Sequence, residues 1–477
     1  MLFRSISGIS QLDYLELYKK YTYTKQESYR LDYIAQEELG DKKKENPGTD
    51  FRDFYTNYWT EFVEYNIHDV ELVDQLEDKM RLLELHITMA YNAKINFEDV
   101  YSQVRMWDTI IYNHLRKKNI VIPMKVSNGG KSEQFEGAYV KDPIVGQHKW
   151  LASFDLNSLY PHLIMQYNIS PETLTHEKIS VTVDKLLNKE VDTTYAKRRD
   201  LSLTANGWCY RKDVKGFMPE LMEQMYANRS KFKKQMLKAQ QEYEHDKSKK
   251  HLLKEISRLN NLQMAMKIAL NSAYGAMGNQ YFRYFDIRMA EGITTSGQLS
   301  IRWMANKLNA MLNKTLKTEN EDYVVAIDTD SIYLTLENLV EKVAADKDTD
   351  GKIKYMDRIC EEVIQPFIDQ GYQELAEYMN AYSQKMQMKR EVLADKAIWT
   401  AKKRYIINVH NSEGVQFAKP KIKVMGLEMV KSSTPAVIRD KLHDSLQVIL
   451  NGTQRDLHKY VMEFKQEFDK MPVEDIA

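Results

Sequence analysis

The pattern of hydrophobic and polar positions divides the chain into helical flanks and a β-rich middle. Apolar residues recur at helical spacing, with charges between them, at residues 51–91, at 291–313 and from about 436 onward. Short apolar runs bounded by turn residues predict strands and turns at residues 119–143, 149–156, 323–336 and 399–410. Strands between helical flanks favour an α+β fold.

One helical region is much longer than an ordinary globular helix. Between Pro219 and Gly275 the chain contains neither glycine nor a further proline, and the polar stretch at residues 244–250 divides this region near its middle. The pattern predicts a long antiparallel helical hairpin with an exposed tip.

Composition and charge narrow the class of protein. A chain of 477 residues predicts two to four domains. Lys+Arg and Asp+Glu both number 68, so any phosphate-binding surface must be a local patch. The only cysteines, Cys209 and Cys360, argue against a disulfide framework and for a reducing compartment. No apolar run approaches the roughly 18 residues of a membrane span, and the first ten residues do not resemble a signal peptide, so we expect a cytosolic protein.

Three aspartates are the candidate chemistry. Asp328 and Asp330 lie at the tip of the hairpin predicted at residues 323–336, and Asp155 ends a separate apolar strand. In strand geometry Asp328 and Asp330 would face the same side. Two unit charges about 4 Å apart repel by roughly 4 kcal/mol in a moderately polar site, so such a pair needs a cation or a proton. Carboxylates on neighbouring strand ends suit Mg²⁺, although acids also populate turns for no catalytic reason.

Four motifs, in order, resemble those of family B DNA polymerases. They are DLNSLYP at residues 155–161, KIALNSAYG at 267–275, DTDSIY at 328–333 and KKRY at 402–405. The sequence around them is similar to the replicative polymerases of T-even-type bacteriophages, over nearly the whole chain. The resemblance implies a DNA-directed DNA polymerase of phage replication that adds deoxynucleotides to a primer 3′-hydroxyl by two-metal catalysis. The alternative is a non-catalytic DNA-binding or assembly subunit of a split polymerase.

The resemblance also implies an architecture: a palm of antiparallel sheet and helices, a helical-hairpin fingers domain and part of an RNase H-like exonuclease domain. The expected boundaries are 1–95 for the C-terminal part of the 3′–5′ exonuclease, 96–215 for a linker and the first part of the palm, 216–275 for the fingers, 276–435 for the rest of the palm and 436–477 for the start of a truncated thumb.

The metal site is the most specific implication. By resemblance, Asp155 and Asp330 ligate two Mg²⁺ ions, with Mn²⁺ as the alternative metal and the carbonyl of Leu156 assisting. Asp328 has a less direct role beside them, and Glu391 resembles a nearby acid of the phage enzymes.

Two sets of residues at helical spacing are candidates for binding the triphosphate. Arg229 and Lys233 are four residues apart, as are Lys267 and Asn271, with Tyr274 three further on, so each set shares a helical face. Arg and Lys suit phosphate, and the family's triphosphate-binding residues have these spacings. A solvated basic helix face is the alternative.

In DLNSLYP, Ser158 and Leu159 are expected beside the nucleotide. The family's tyrosine at the position of Tyr160 stacks beneath the sugar and leaves no room for a 2′-hydroxyl. A core aromatic in a turn is the alternative.

The basic sequence at residues 396–405 has interleaved aromatics on a predicted strand. Such a surface can bind DNA phosphates, or it can be an ordinary solvated basic strand. By resemblance, Lys403, Arg404 and Tyr405 contact primer DNA. Residues 136–140 resemble the template-contacting loop, where Gly137 would let DNA approach the backbone.

Tyr65 and Asp69 resemble the third exonuclease motif, but residues 1–64 contain nothing similar to the first two motifs. The chain also stops where the phage enzymes continue into the thumb, so we expect either a truncated gene product or one piece of a split polymerase, without proofreading. The resemblance implies primer–template DNA and deoxynucleotides as partners, in the cytoplasm of an infected bacterial host and without a membrane. It leaves open separately encoded polymerase chains, a sliding clamp and a single-stranded DNA-binding protein.

Overall fold

A computed structural model describes residues 8–22, 25–125, 134–431 and 433–472, in which helices and antiparallel strands form an α+β protein. The α-helices are, in chain order, α1 Tyr14–Tyr21, α2 Leu31–Leu39, α3 Phe51–Asn57, α4 Trp59–Met80, α5 Leu82–Ala93, α6 Gln103–Lys117, α7 Leu159–Tyr167, α8 Val183–Leu187, α9 Thr194–Arg198, α10 Phe217–His245, α11 His251–Met277, α12 Ile287–Leu316, α13 Glu337–Val343, α14 Thr349–Ile359, α15 Gln365–Tyr378, α16 Ala436–Asn451 and α17 Gln454–Phe468. The strands are β1 Gly146–Leu156, β2 Leu174–Lys178, β3 Leu201–Leu203, β4 Trp208–Arg211, β5 Val324–Asp328, β6 Ser331–Thr335, β7 Met388–Ala401, β8 Arg404–Ser412 and β9 Val415–Met425.

The chain divides into two units: Met1–Ile122 with Met225–Ser272, and Pro123–Gln224 with Ala273–Ala477. In the described part of the first unit, helices pack around a small apolar core that includes Leu17, Leu76 and Leu82. Trp107 of α6 is fully buried, and its indole N–H donates to the carbonyl of Ala269 on α11, 3.1 Å away. Burial of the ring and satisfaction of its one donor together fasten α11 to α6.

The second unit is built on a six-stranded antiparallel sheet in the order β5-β6-β1-β7-β8-β9. Alternate residues of these strands, among them Leu151, Tyr333 and Trp399, form a buried cluster on one face. Helix α12 contacts β5, β6, α7 and α15, and its middle turns are buried. A second, three-stranded sheet has the order β2-β4-β3. Because β1 lies inside the larger sheet, the end of β1 is fixed from both sides, by β6 and by β7.

The most regular sequence patterns are confirmed. Strand β1 covers the predicted run at residues 149–156, β5 and β6 form the predicted hairpin, and α12 covers residues 291–313. The two long helices α10 and α11 are joined by a short polar connection, as predicted, in which the amide and hydroxyl of Ser248 bond to the carboxylate of Asp246.

Two predictions from the pattern were wrong. Among the described residues of 119–143 there is no strand, only an isolated bridge at Val140, and the β-forming Val121 is 91% exposed, with no strand beside it. Residues 126–133 of that stretch lie outside the described residues. The basic sequence at residues 396–405 is not one strand either, because Lys402 and Lys403 form the turn between β7 and β8.

Within the described part of the chain, no helix has both the length and the apolar character needed to cross a membrane.

Candidate active site

Asp155 and Asp330 lie close together where β1 ends and β5 turns into β6, within the six-stranded sheet. Asp155 is the penultimate residue of β1 and is paired in register with Ser331, the first residue of β6. The Ser331 hydroxyl donates to Oδ1 of Asp155 at 2.7 Å, and the amide of Leu156 donates to the carbonyl of Asp330 at 2.9 Å. These two bonds fix the end of β1 against the β5–β6 turn. The side chain of Leu156 is buried and apolar, so this residue could serve a metal only through its carbonyl.

The turn that carries Asp330 departs from strand geometry. Thr329 has φ +58°, in the left-handed region that non-glycine residues seldom adopt, and the amide of Asp330 donates to the carbonyl of Asp328 at 2.6 Å. The alternation that would place Asp328 and Asp330 on the same side therefore does not apply. Oδ1 of Asp328 instead lies 3.1 Å from Nζ of Lys403, so Asp328 already has a cationic partner.

Burial and mutual repulsion make Asp155 and Asp330 poor acids in the absence of a cation. Burial raises the pKa of Asp155 to about 6. The hydrogen bond from Ser331 lowers this pKa, and the charge of Glu391 raises it further. Burial and then the charge of Asp155 raise the pKa of Asp330 to about 7. A divalent cation between them would favour the ionised form of both carboxyl groups. Carboxylates with a nearby backbone carbonyl are ligands that suit Mg²⁺. Among the described residues no group of three or more His, Cys, Asp or Glu side chains is placed to hold one ion.

Glu391 lies on β7, the neighbour of β1 on the side away from β6. Its Oε1 atom is 3.2 Å from Nζ of Lys423 on β9. Glu391 raises the pKa of Asp155, after burial, while Lys423 lowers it. The ion pair thus offsets much of the negative charge that Glu391 would bring to the site. Lys423 was not among the residues singled out from the sequence, because no local pattern shows that β9 reaches this position.

Tyr160 and Tyr274 form an aromatic pair next to the aspartates. Their ring centroids are 4.4 Å apart with the planes tilted by 35°. Burial raises the pKa of Tyr160 to about 12, and the charges of Tyr274 and Asp330 act in the same direction. Ser158, with φ +45°, turns the chain from β1 into α7, and Leu159 begins that helix as a buried residue.

Helix α12 passes beside this turn at Gly297. A Cβ atom there would lie at ordinary van der Waals distance, 3.5 Å from Leu159 Cδ2 and 3.7 Å from Tyr160 Cε1. The helix therefore flanks the side chains of Leu159 and Tyr160.

The basic candidates lie on the two long helices. Arg229 and Lys233 are one turn apart on α10, and Lys267 and Asn271 are one turn apart on α11, all four in the first unit, while Tyr274 belongs to the second. Arg229 is partly buried and its Nε has no hydrogen-bond partner among the described atoms, whereas Lys233 and Asn271 are exposed.

The KKRY residues have different environments. Lys403 is 60% exposed at the β7–β8 turn, and the guanidinium of Arg404 lies 4.0 Å from Glu428. Tyr405 is buried, and its hydroxyl is 3.0 Å from that of Tyr333. The structure thus places Tyr405 in the core beneath the turn, and its contact with DNA stays a prediction.

Gly137 lies in an extended segment that α12 holds by two side chains. The hydroxyl of Thr294 donates to the carbonyl of Glu136 and the amide of Gln298 to the carbonyl of Gly137, both at 2.7 Å. A Cβ atom on Gly137 would meet nothing within 4 Å, so the space beside this residue is open. Thr294 and Gln298 were missed from the sequence, although a run of polar residues at 294–298 within a buried helix is an available signal.

Tyr65 and Asp69 lie on α4, in the first unit. Nζ of Lys43, from the polar loop before α3, is 2.6 Å from Oδ2 of Asp69 and donates to the Tyr65 hydroxyl at 2.8 Å. These bonds outweigh burial and raise the pKa of Lys43. An ammonium group therefore already neutralises the Asp69 carboxylate.

Comparison with known proteins identifies the family. The model of DNA polymerase family B matches residues 100–476. The DNA-directed DNA polymerase of Escherichia phage RB69 is 36% identical, over 94% of this chain and 54% of the relative, and that of Enterobacteria phage T4 is 34% identical, over 99% and 58%. DNA polymerase 1 of Pyrococcus abyssi (strain GE5 / Orsay) is 27% identical over 72% of this chain and 35% of the relative. The chain spans a little more than half the length of the phage relatives it matches. The order of the motifs, the paired aspartates and these matches agree, and the chain belongs to DNA polymerase family B.

Proposed function

We propose that this chain catalyses template-directed addition of deoxynucleotides to the 3′-hydroxyl of a DNA primer. The observation that carries the proposal is the placement of Asp155 and Asp330: two partly buried carboxyl groups, one at the end of β1 and one in the adjoining β5–β6 turn, both with raised pKa values. Backbone and hydroxyl hydrogen bonds hold the strand end and the turn together. A pair of this kind is suited to a divalent metal centre.

The residues have distinct roles in this proposal. Asp155, Asp330 and the carbonyl of Leu156 would hold two Mg²⁺ ions, with Mn²⁺ as the alternative. Bound there, the ions would lower the pKa of the primer hydroxyl and neutralise the leaving phosphates. Ser331 holds Asp155 in one orientation through its 2.7 Å bond, and Lys403 keeps Asp328 neutralised at the edge of the site.

The nucleotide would be bound by the helices and by the turn after β1. Arg229, Lys233 and Lys267 supply the cations that a triphosphate requires, and Asn271 lies one turn beyond Lys267 on the same helix. Tyr160, in contact with the tilted ring of Tyr274, would lie beneath the sugar. Ser158 and Leu159 would lie beside the nucleotide.

We propose the domain roles on the same basis. The six-stranded sheet and its helices would be the palm, with its parts at 96–215 and 276–435; residues 216–275 would be the fingers. Residues 1–95 would be the C-terminal part of an exonuclease domain, and α16 and α17, in 436–477, would begin the thumb.

The phage relatives suggest the setting. We propose that the chain works in phage DNA replication in the cytoplasm of an infected bacterium, on primer–template DNA. Separately encoded polymerase chains, a sliding clamp and a single-stranded DNA-binding protein would be its protein partners.

The second candidate is a non-catalytic DNA-binding or assembly subunit of a split polymerase. A primer-extension assay with Mg²⁺ on the purified chain separates the two functions. We expect extension by the wild type and its loss, by more than roughly a hundredfold, in Asp330→Ala, since losing even an outer-shell partner of a metal ligand can cost about that much. The matched control is Asp350→Asn, an exposed acid on α14.

Extension that survives in Asp330→Ala would refute the catalytic proposal. Primer–template binding without any extension by the wild type would instead support the subunit.

A further inference from the structure

A segment at residues 136–144, called here the strap, runs beside β5 and is bonded to it by main-chain groups. The amides of Lys141 and Ile144 donate to carbonyls of β5 at 3.1 and 2.9 Å, and Val140 forms a bridge with Asp328. The carbonyl of Tyr139 accepts from the amide of Thr329 at 3.0 Å. The second half of the strap is therefore built into the turn that carries Asp330.

The first half of the strap is held differently, by side chains of α12. The hydroxyl of Thr294 donates to the carbonyl of Glu136, and one turn later the amide of Gln298 donates to the carbonyl of Gly137. Thr294 is 1% exposed and Gln298 5%. Buried polar groups are costly unless bonded, and the strap supplies an acceptor to both donors. The Thr294 hydroxyl has a second acceptor, the carbonyl of Glu291 in its own helix at 3.1 Å.

These contacts form one connection from α12 to the metal-site turn. Gly137 carries one of the two held carbonyls and lies two residues before Tyr139, and it faces open space on the side where a Cβ atom would project. The backbone at Gly137 is therefore free to contact a strand of nucleic acid, while its distance from Asp330 is set by the bonds on either side.

We propose that Thr294 and Gln298 are positioning residues that fix where the strap lies. DNA that contacts Gly137 is thereby aligned with Asp155 and Asp330. This inference rests on the proposed function. Neither residue touches DNA or the reacting atoms; each acts through a backbone carbonyl of the strap.

The test compares variants that remove one donor and keep the shape. Thr294→Val and Gln298→Met each delete a bond to the strap. Thr295→Val is the matched control, because Thr295 is a buried neighbour whose hydroxyl donates to the carbonyl of Glu291 within its own helix. Thr294→Ser keeps the hydroxyl and should restore the wild-type behaviour.

Three measurements on the full chain are needed: hydrogen exchange at residues 136–144, the Kd for a fluorescent primer–template, and the KM for a deoxynucleotide in single-nucleotide incorporation. We expect faster exchange in the strap and a roughly two- to tenfold weaker Kd for each variant, the equilibrium effect of one neutral hydrogen bond. The KM for the nucleotide should be unchanged, which a general loss of structure would not leave intact.

The inference is overturned if Thr294→Val and Gln298→Met match Thr295→Val in both exchange and Kd. It is also overturned if exchange rises while DNA affinity is unchanged, because the position of the strap would then be irrelevant to binding. A wild-type chain that binds no primer–template would reject the proposed function itself, and the inference with it, whatever the exchange data show.

Discussion

Asp155 and Asp330 are partly buried acids whose ionised forms repel each other, so their stability contribution depends on pH and on metal. Their pKa values are raised from 3.8 to about 6 and about 7. In the metal-free protein they contribute stability that is fully present below the unfolded value and lost as pH rises through the folded values. We expect the Tm of the metal-free chain to fall by roughly 5–10 °C between about pH 5 and about pH 8.

Mg²⁺ added at the higher pH should reverse that loss, and Asp330→Asn should flatten the pH dependence, as measured by differential scanning calorimetry in the presence and absence of chelator. A wild-type profile no steeper than that of Asp330→Asn would contradict this account of the site.

Tyr160 tests the sugar side of the pocket. Its ring lies against that of Tyr274, 4.4 Å between centroids, and we expect Tyr160→Ala to admit ribonucleotides much more readily, because the removed ring leaves space for a 2′-hydroxyl. Competing incorporation of a ribonucleotide and its deoxynucleotide measures the change. Tyr160→Phe, which retains the ring, is the control, and unchanged sugar selectivity in Tyr160→Ala would rule out this role.

A substitution at Gly137 should change DNA binding without changing the stability of the fold. Because a Cβ atom there would meet nothing within 4 Å and Gly137 has no left-handed φ, Gly137→Val should leave the Tm within about 1–2 °C of the wild type. If DNA lies against this backbone, the same variant should weaken primer–template binding by at least roughly tenfold, as fluorescence anisotropy would show. Normal affinity would remove Gly137 from the DNA surface.

At the scale of elements, the helices α10 and α11 should bind the triphosphate rather than the DNA. Arg229→Ala and Lys267→Ala should each raise the KM for the incoming nucleotide by roughly 10- to 100-fold, the usual effect of losing a charge-assisted hydrogen bond, with the Kd for primer–template unchanged. Lys238→Ala is the matched control, since Lys238 is an exposed cation on the same helix as Arg229. A KM change as large in Lys238→Ala would mean that only overall charge matters.

The strands show where the periodicity of apolar residues is sufficient to predict secondary structure. Strand β1 and the β5–β6 hairpin were predicted because long apolar runs end at polar turns. Among the described residues of 119–143 the expected strands do not form: Val121 is 91% exposed, and a β-forming residue makes a strand only where a partner strand is available. Lys402 and Lys403 were expected on a strand and instead form a turn, with Lys403 at φ +60°.

At the scale of the whole molecule, we expect polymerisation without proofreading. Asp69 is already paired with the ammonium group of Lys43, 2.6 Å away, so a metal ion would have to displace that group to bind there. The purified chain should therefore release no terminal nucleotides from a single-stranded primer, measured by gel with Mg²⁺. Release that disappears in Asp69→Ala would contradict this expectation.

The sequence by itself determined the family and the residues of its motifs, because the spacing of DLNSLYP, KIALNSAYG, DTDSIY and KKRY is a local property that survives without coordinates. It also ranked Asp155 and Asp330 above Asp328, but only by resemblance; strand alternation treated Asp328 and Asp330 alike.

Only the tertiary structure gives the physical difference between those two acids. The left-handed Thr329 breaks the alternation, after which Asp328 pairs with Lys403 and Asp330 lies by Asp155. The strap, its donors on α12 and the Glu391–Lys423 pair were likewise decided by contacts between residues far apart in sequence. Such contacts depend on which strand and helix surfaces pack together, and no local pattern of residues encodes that packing.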